Sequence, residues 1–157
     1  MTALGQALII AAILAVAVVY GTDAFCAIAL RPALALVDDR TLASIMGRVH
    51  EFADRRMRLP GIAGLLAAIA GALVIGLAGH PGATIPGAVA IVAQVIWILV
   101  YNRISAPINR QLTDAAQRGE TPPGARQLQQ RWDSVITTRA GLQMLAILAL
   151  CTVIVVA

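Results

Sequence analysis

Apolar residues run almost unbroken over positions 3–30, 60–79, 86–101 and 136–157. A helix needs about 17–25 such residues to cross hydrocarbon, and the third run reaches that length by continuing toward Ser105. No run alternates with period two, so the strands of a closed β-barrel are excluded. The first run lacks a basic leader, and it far exceeds the roughly 7–15 apolar residues of a secretory signal, so it reads as a retained span. The pattern predicts an all-α fold. It is a four-transmembrane-helix bundle forming one membrane domain over 1–157, with spans at about 3–30, 60–79, 86–105 and 136–157.

The two long connections, 31–59 and 106–135, have their own periodicity. Leu42, Ile45, Met46, Val49, Phe52, Ala53 and Met57 follow i, i+3, i+4, i+7 spacing, which predicts an amphipathic helix over Asp39–Arg58. Asp38 or Asp39 is its expected N-cap and Pro60 its expected stop, with Arg56 inside the apolar arc and His50 at its edge. Such a helix either lies in the head-group layer or caps the mouth of the bundle. In the second connection a turn cluster, Gly119 to Gly124, separates two flanks, Pro107–Gln117 and Ala125–Ser134. These flanks predict a helical hairpin that prolongs the last two spans. Span two carries small residues four apart, such as Gly64 with Ala68 and Ala67 with Gly71. That spacing lets backbones approach closely and suits a central position in the bundle or a homo-oligomer interface.

Composition sharpens this picture. Of 157 residues, 59% are hydrophobic and only 13% charged, against about 25% charged in soluble domains. All twelve basic residues are arginine, which removes lysine-dependent P-loop and Schiff-base chemistry. Every arginine lies in or beside the two long connections, and none lies in the turn near His80 or at either terminus. The positive-inside rule therefore puts both connections in the cytoplasm and both termini outside, in a bacterial cytoplasmic membrane. The net charge of +4 reflects this topology and contact with the lipid bilayer rather than nucleic acid. Cys26 and Cys151 fall at different depths, too far apart for a disulfide.

Polar residues inside the spans are costly and are therefore candidates for function. They are Tyr20 and Asp23 on span one, Gln94, Tyr101 and Asn102 on span three, and Arg139 and Gln143 on span four. Nearly all lie in the cytoplasmic half, which predicts a polar pocket open to that side. Seven apolar residues separate Asp23 from Arg31, so its carboxylate must be protonated or paired, and Arg139 enters from the same side. The alternative is that Asp23 marks the head-group boundary while Arg139 snorkels. His50 and Asp54, four apart, read first as an exposed helix pair. Glu51 follows His50, but Asp54 stands where a zincin would have its second histidine. His80 lies about 30 Å away across the membrane, so the two histidines cannot share a metal or haem. No metal and no cofactor is expected, with a mixed metal site of His50, Asp54 and Glu51 as the one alternative left open.

Pro107, Asn109 and Leu112 at the end of span three, followed by a polar hairpin, Trp132, and Arg139 seven residues later, form a P-x-N-x-x-L … W-x6-R arrangement. This resembles the anthrone-oxygenase-like family of small four-helix membrane proteins, long catalogued as a domain of unknown function. Span layout extends the resemblance over nearly the whole chain, and the motif covers its last third. Family members often have Asn or His three residues before the arginine, where this chain has Ile136. The resemblance implies O2-dependent oxidation of a lipophilic polycyclic phenol of the anthrone type. That chemistry needs a base, donors for an enolate oxygen, and an apolar slot. Asp23 or His50 is the candidate base. Arg139 with Asn109, Asn102 or Gln143 would hold the oxyanion. Trp132, Trp97 and Tyr101 would stack on the rings, with Tyr20 and Gln94 completing the candidate binding set. Each has a structural alternative: a helix cap for Asn109, an interfacial anchor for Arg139, an aromatic belt for Trp132.

Two other functions compete with the oxygenase. One is a non-enzymatic accessory subunit or lipophile-binding protein. The other is a small proton-coupled exporter using Asp23, which the apolar outer half argues against.

Overall fold

The computed structural model describes residues 2–157. Four long apolar helical rods, Ala3–Leu34, Asp39–Leu77, Pro81–Arg118 and Ala125–Val156, are each long enough to cross a membrane. The described residues contain helices and turns but no strand.

The first rod is α1 (Ala3–Phe25), one wide π-helical turn (Cys26–Leu30) and the short α2 (Arg31–Leu34). Thr2 caps its start by accepting from the Gly5 amide at 3.2 Å. The third rod is built the same way: α5 (Thr84–Val100), a π-helical turn (Tyr101–Ser105) and α6 (Ala106–Arg118). In each rod a single residue separates the end of the wide turn from a proline. The Arg31 amide donates to the Cys26 carbonyl ahead of Pro32, and the Ala106 amide to the Tyr101 carbonyl ahead of Pro107. A proline ring has no N–H and clashes with the carbonyl four residues back, so the helix widens by one residue there and continues.

The second rod contains the amphipathic helix expected over Asp39–Arg58, and it runs into the next helix with almost no break. Asp38 caps α3 (Asp39–Arg56) by accepting from the Thr41 amide at 2.9 Å. Only Met57 separates α3 from α4 (Arg58–Leu77). Pro60 does not end α3 as the sequence suggested. It sits in the first turn of α4, where its missing N–H has no intrahelical partner to lose. The fourth rod is α7 (Ala125–Val156). It follows α6 through a turn that uses the positive-φ glycines Gly119 and Gly124, so the last two rods are prolonged as expected, although α6 packs chiefly on α3.

Two apolar clusters hold the bundle. In the first, α1 lies against the small face of α4. A side chain at Gly71 would meet Ile9, one at Gly64 would meet Val16, and Ala68 is buried between them. Ala90 and Ala93 of α5 and Ala146, Leu150 and Val153 of α7 complete this cluster. The second lies at the arginine-rich end, where Leu42 and Met46 of α3 meet Ile108 and Leu112 of α6 and Trp132 and Ile136 of α7. The outward faces stay apolar, with Leu14, Leu66, Leu73 and Leu148 exposed, as expected for helices solvated by lipid.

The face that α3 buries is rotated from the expected one. Leu42, Ala43, Met46, Gly47 and His50 face inward, while Ile45, Val49 and Phe52 are exposed. Gly47 is the cause. An added Cβ there would collide with the Ala116 side chain and the Leu112 carbonyl, so the absence of a side chain lets α3 lie directly on α6. The helix therefore caps the bundle end. The Thr113 hydroxyl ties it down by donating to the Gly47 carbonyl at 3.1 Å.

Gly47→Ala is therefore expected to lower stability in detergent by about 1–3 kcal/mol through overpacking. Gly141→Ala, where an added Cβ meets open space, should be neutral or gain about 0.5–1 kcal/mol. Thermal unfolding of both variants checks the pair.

Candidate functional site

The capping of the bundle by α3 encloses a cavity of about 610 Å³ between α1, α3, α4, α5, α6 and α7. This lies within the roughly 300–1,000 Å³ of small-molecule sites. Its wall is mostly apolar, and its polar groups come from residues far apart in sequence.

Arg139 is at its centre and is 5% exposed. One terminal nitrogen donates to Asp23 Oδ1 at 2.7 Å and the other to the Ser105 hydroxyl at 2.9 Å. The indole N–H of Trp97 donates to the second Asp23 oxygen at 2.8 Å. Asp23 thus faces inward and is paired, as one of its two sequence readings expected. Three rings surround the guanidinium: Trp97 at 5.2 Å, Tyr101 at 5.4 Å and Trp132 at 5.6 Å from the ring centres. Trp97 and Tyr101 are themselves stacked, 8° from parallel. Burying two ions costs several kcal/mol each, offset here by a close pair, charge-assisted hydrogen bonds and cation–π contacts.

A second polar group lies toward α3. Asp54 accepts from the Tyr101 hydroxyl at 2.7 Å and from the Asn109 side-chain amide at 2.8 Å, both at one oxygen. This overturns the His50–Asp54 pair expected from their spacing. Glu51 points elsewhere, to Arg48 and Gln117, so His50, Glu51 and Asp54 form no joint site. Among the described residues no three His, Cys, Asp or Glu side chains cluster to hold a metal.

His50 is buried rather than exposed. It lines the cavity with its ring 5.3 Å from that of Trp132. Burial, and then the facing Arg139 charge, push the imidazole pKa down to about 3. It is therefore neutral at neutral pH. Several buried nitrogens on this wall have no hydrogen-bond partner: His50 Nε2, Trp132 Nε1 and Arg139 Nε. Unpartnered buried polar atoms are rare in native proteins, and here two donors, Trp132 Nε1–H and Arg139 Nε–H, and one ring nitrogen of His50 leave room for a polar ligand.

The cavity brings together Asp23, His50, Asn109, Arg139, Trp97, Tyr101 and Trp132, with Asn102 exposed on its rim. Tyr20, Gln94 and Gln143 do not line it. Gln94 is buried deeper and donates to the Ala90 carbonyl, while Gln143 lies one turn beyond Arg139. Sequence reasoning missed Ser105 and the role of Asp54. Ser105 ends the widened turn Tyr101–Ser105, so a regular helical count along span three gave no signal for it. Ile136, the departure from the family pattern, is fully buried in the apolar cluster with Cys26 and Leu42. Comparison with protein-family models, curated proteins and solved structures finds no match for the chain.

Two predictions follow from this geometry. Removing one member of the ion pair should cost about 3–5 kcal/mol, because it strands a buried charge. The double variant Asp23→Leu/Arg139→Met should unfold at a higher temperature than Asp23→Leu alone. Because folding lowers the His50 pKa, the unfolded chain takes up its proton first. Stability is then complete above pH 6.5 and falls as pH drops toward 3. Between pH 6.5 and 5 this slope amounts to about 2 kcal/mol, which His50→Asn should abolish in a pH series of unfolding curves.

Proposed function

We propose that this chain is a membrane oxygenase that oxidises a lipophilic polycyclic phenol of the anthrone type with O2. The observation that carries this reading is the cavity itself. A neutral imidazole, a buried guanidinium and three aromatic rings converge in an apolar space of about 610 Å³. The arrangement P-x-N-x-x-L … W-x6-R, carried by Pro107, Asn109, Leu112, Trp132 and Arg139, supports the same reading.

The chemistry distributes over the residues as follows. His50 Nε2 removes the acidic proton from the carbon opposite the anthrone carbonyl, and the electron pair moves onto the carbonyl oxygen. The resulting enolate is held by the Arg139 Nε–H and the Trp132 indole N–H. A weakly basic imidazole suits this task once negative charge forms beside it, because the enolate itself stabilises the imidazolium. The enolate passes one electron to O2. Radical and superoxide then join to form a carbon–oxygen bond, and the peroxide loses water as the second C–H proton leaves. The net change is anthrone plus O2 to quinone plus water. Asp23, with both oxygens engaged, positions and neutralises Arg139 and does not itself act as the base. The same engagement weighs against a proton-carrying role for Asp23 in export. The arginine distribution supports placing this end of the bundle in the cytoplasm.

The test is O2 uptake and quinone formation by the purified protein in detergent, with an anthrone substrate. His50→Gln should lower turnover by about 10²–10⁴-fold. Trp132→Phe, which removes one N–H and keeps the ring, should cost about 10–10³-fold. Turnover no faster than the protein-free blank would discard the oxygenase. If substrate still bound under those conditions, the chain would be a lipophile-binding protein.

A further inference from the structure

A second cavity, of about 340 Å³, lies between α2 and the start of α7 and shares no lining residue with the first. Arg31, Arg126, Gln129 and Asp133 supply polar groups to its lining. Arg126 builds its wall. This side chain donates to the Leu34 carbonyl at 2.9 Å, to the Val37 carbonyl at 2.6 Å and to Asp39 at 3.0 Å. It thereby pins the turn between α2 and α3 onto the start of α7, and its own charge is answered by Asp39.

The other three groups are not satisfied in this way. Gln129 is 3% exposed; its amide donates to Asp133 Oδ1 at 2.9 Å, and its Oε1 has no partner. Asp133 accepts that one bond, at one oxygen only. Arg31, which also lines the cavity, forms no ion pair within 4.0 Å among the described residues, and its charge reaches Asp133 only at longer range. The cavity therefore offers two acceptors for an N–H cation, Gln129 Oε1 and the free Asp133 oxygen, and in Arg31 a cation for an anion. Leu36 beside the cavity is 88% exposed, so the site lies where apolar surface meets polar ends.

We propose that this cavity binds a phosphoethanolamine group. Its ammonium donates to Gln129 Oε1 and the free oxygen of Asp133, and its phosphate pairs with Arg31. A phosphate lacking the ammonium leaves the buried Gln129 oxygen unpartnered. A quaternary ammonium has no N–H to give it. Discrimination therefore rests on the N–H donors as much as on charge. The site is separate from the first cavity and does not depend on the oxygenase reading.

The experiment is native mass spectrometry of the full chain released from nanodiscs of phosphatidylethanolamine, phosphatidylglycerol and phosphatidylcholine in equal parts. Phosphatidylethanolamine should be retained about tenfold over the other two. Arg31→Gln and Asp133→Asn should each abolish that preference. Arg31 is exposed, and Asp133→Asn preserves shape, so both variants should keep the wild-type unfolding temperature. Free glycerophosphoethanolamine distinguishes the sources. If it displaces the lipid, a soluble phosphoethanolamine compound fits the site; if it does not, the ligand is the membrane lipid. Equal retention of the three lipids, or a preference unchanged in both variants, would overturn the proposal.

Discussion

The buried ion pair between Asp23 and Arg139 is the constraint around which this bundle is arranged. Its two members come from the first and last rods. The third rod supplies the Trp97 N–H, the Ser105 hydroxyl and two of the three rings about the guanidinium. A charge this deep has few solutions, and each one fixes a helix. Trp97 must stack on Tyr101 to present its N–H. Ser105 must face α7, which the widened turn before Pro107 allows. Removing any one partner leaves an unsatisfied group in a site that water reaches poorly, so the three rods are held in register by polar contacts although apolar contacts supply most of the packing.

The same arrangement sets the character of the cavity. With both Asp23 oxygens and both terminal Arg139 nitrogens engaged, the guanidinium still carries an unpartnered Nε–H. The positive charge is therefore present but partly balanced, a condition suited to an oxygen whose charge develops during reaction. His50 joins the site only because Gly47 lets α3 settle onto α6. One glycine on the capping helix thus determines whether a histidine faces solvent or the cavity.

The four long apolar helices were legible because hydropathy depends on local composition, which tertiary packing does not alter. The Asp23–Arg139 pairing could be read because each charge, taken alone, was too costly to leave unanswered. The orientation of α3 was not legible. Its apolar positions outnumber those it can bury, and the choice among them is made by the close approach at Gly47, a contact with residues 65 or more positions away. Ser105 and the true partners of Asp54 were hidden for a related reason. The widened turn at Tyr101–Ser105 shifts the helical register by one residue, which a regular 3.6-residue reading does not anticipate.

The most direct test of the site is equilibrium binding of a hydroxyanthraquinone, whose phenol changes colour on losing its proton. Titrated with the wild-type protein at a pH below its free pKa, it should bind and turn to the colour of the anion, because Arg139 and Trp132 favour the charged oxygen. In the Asp23→Leu/Arg139→Met variant it should bind without changing colour. The same neutral spectrum in both proteins, or no binding to either, would contradict the assignment of this cavity as an enolate-stabilising site.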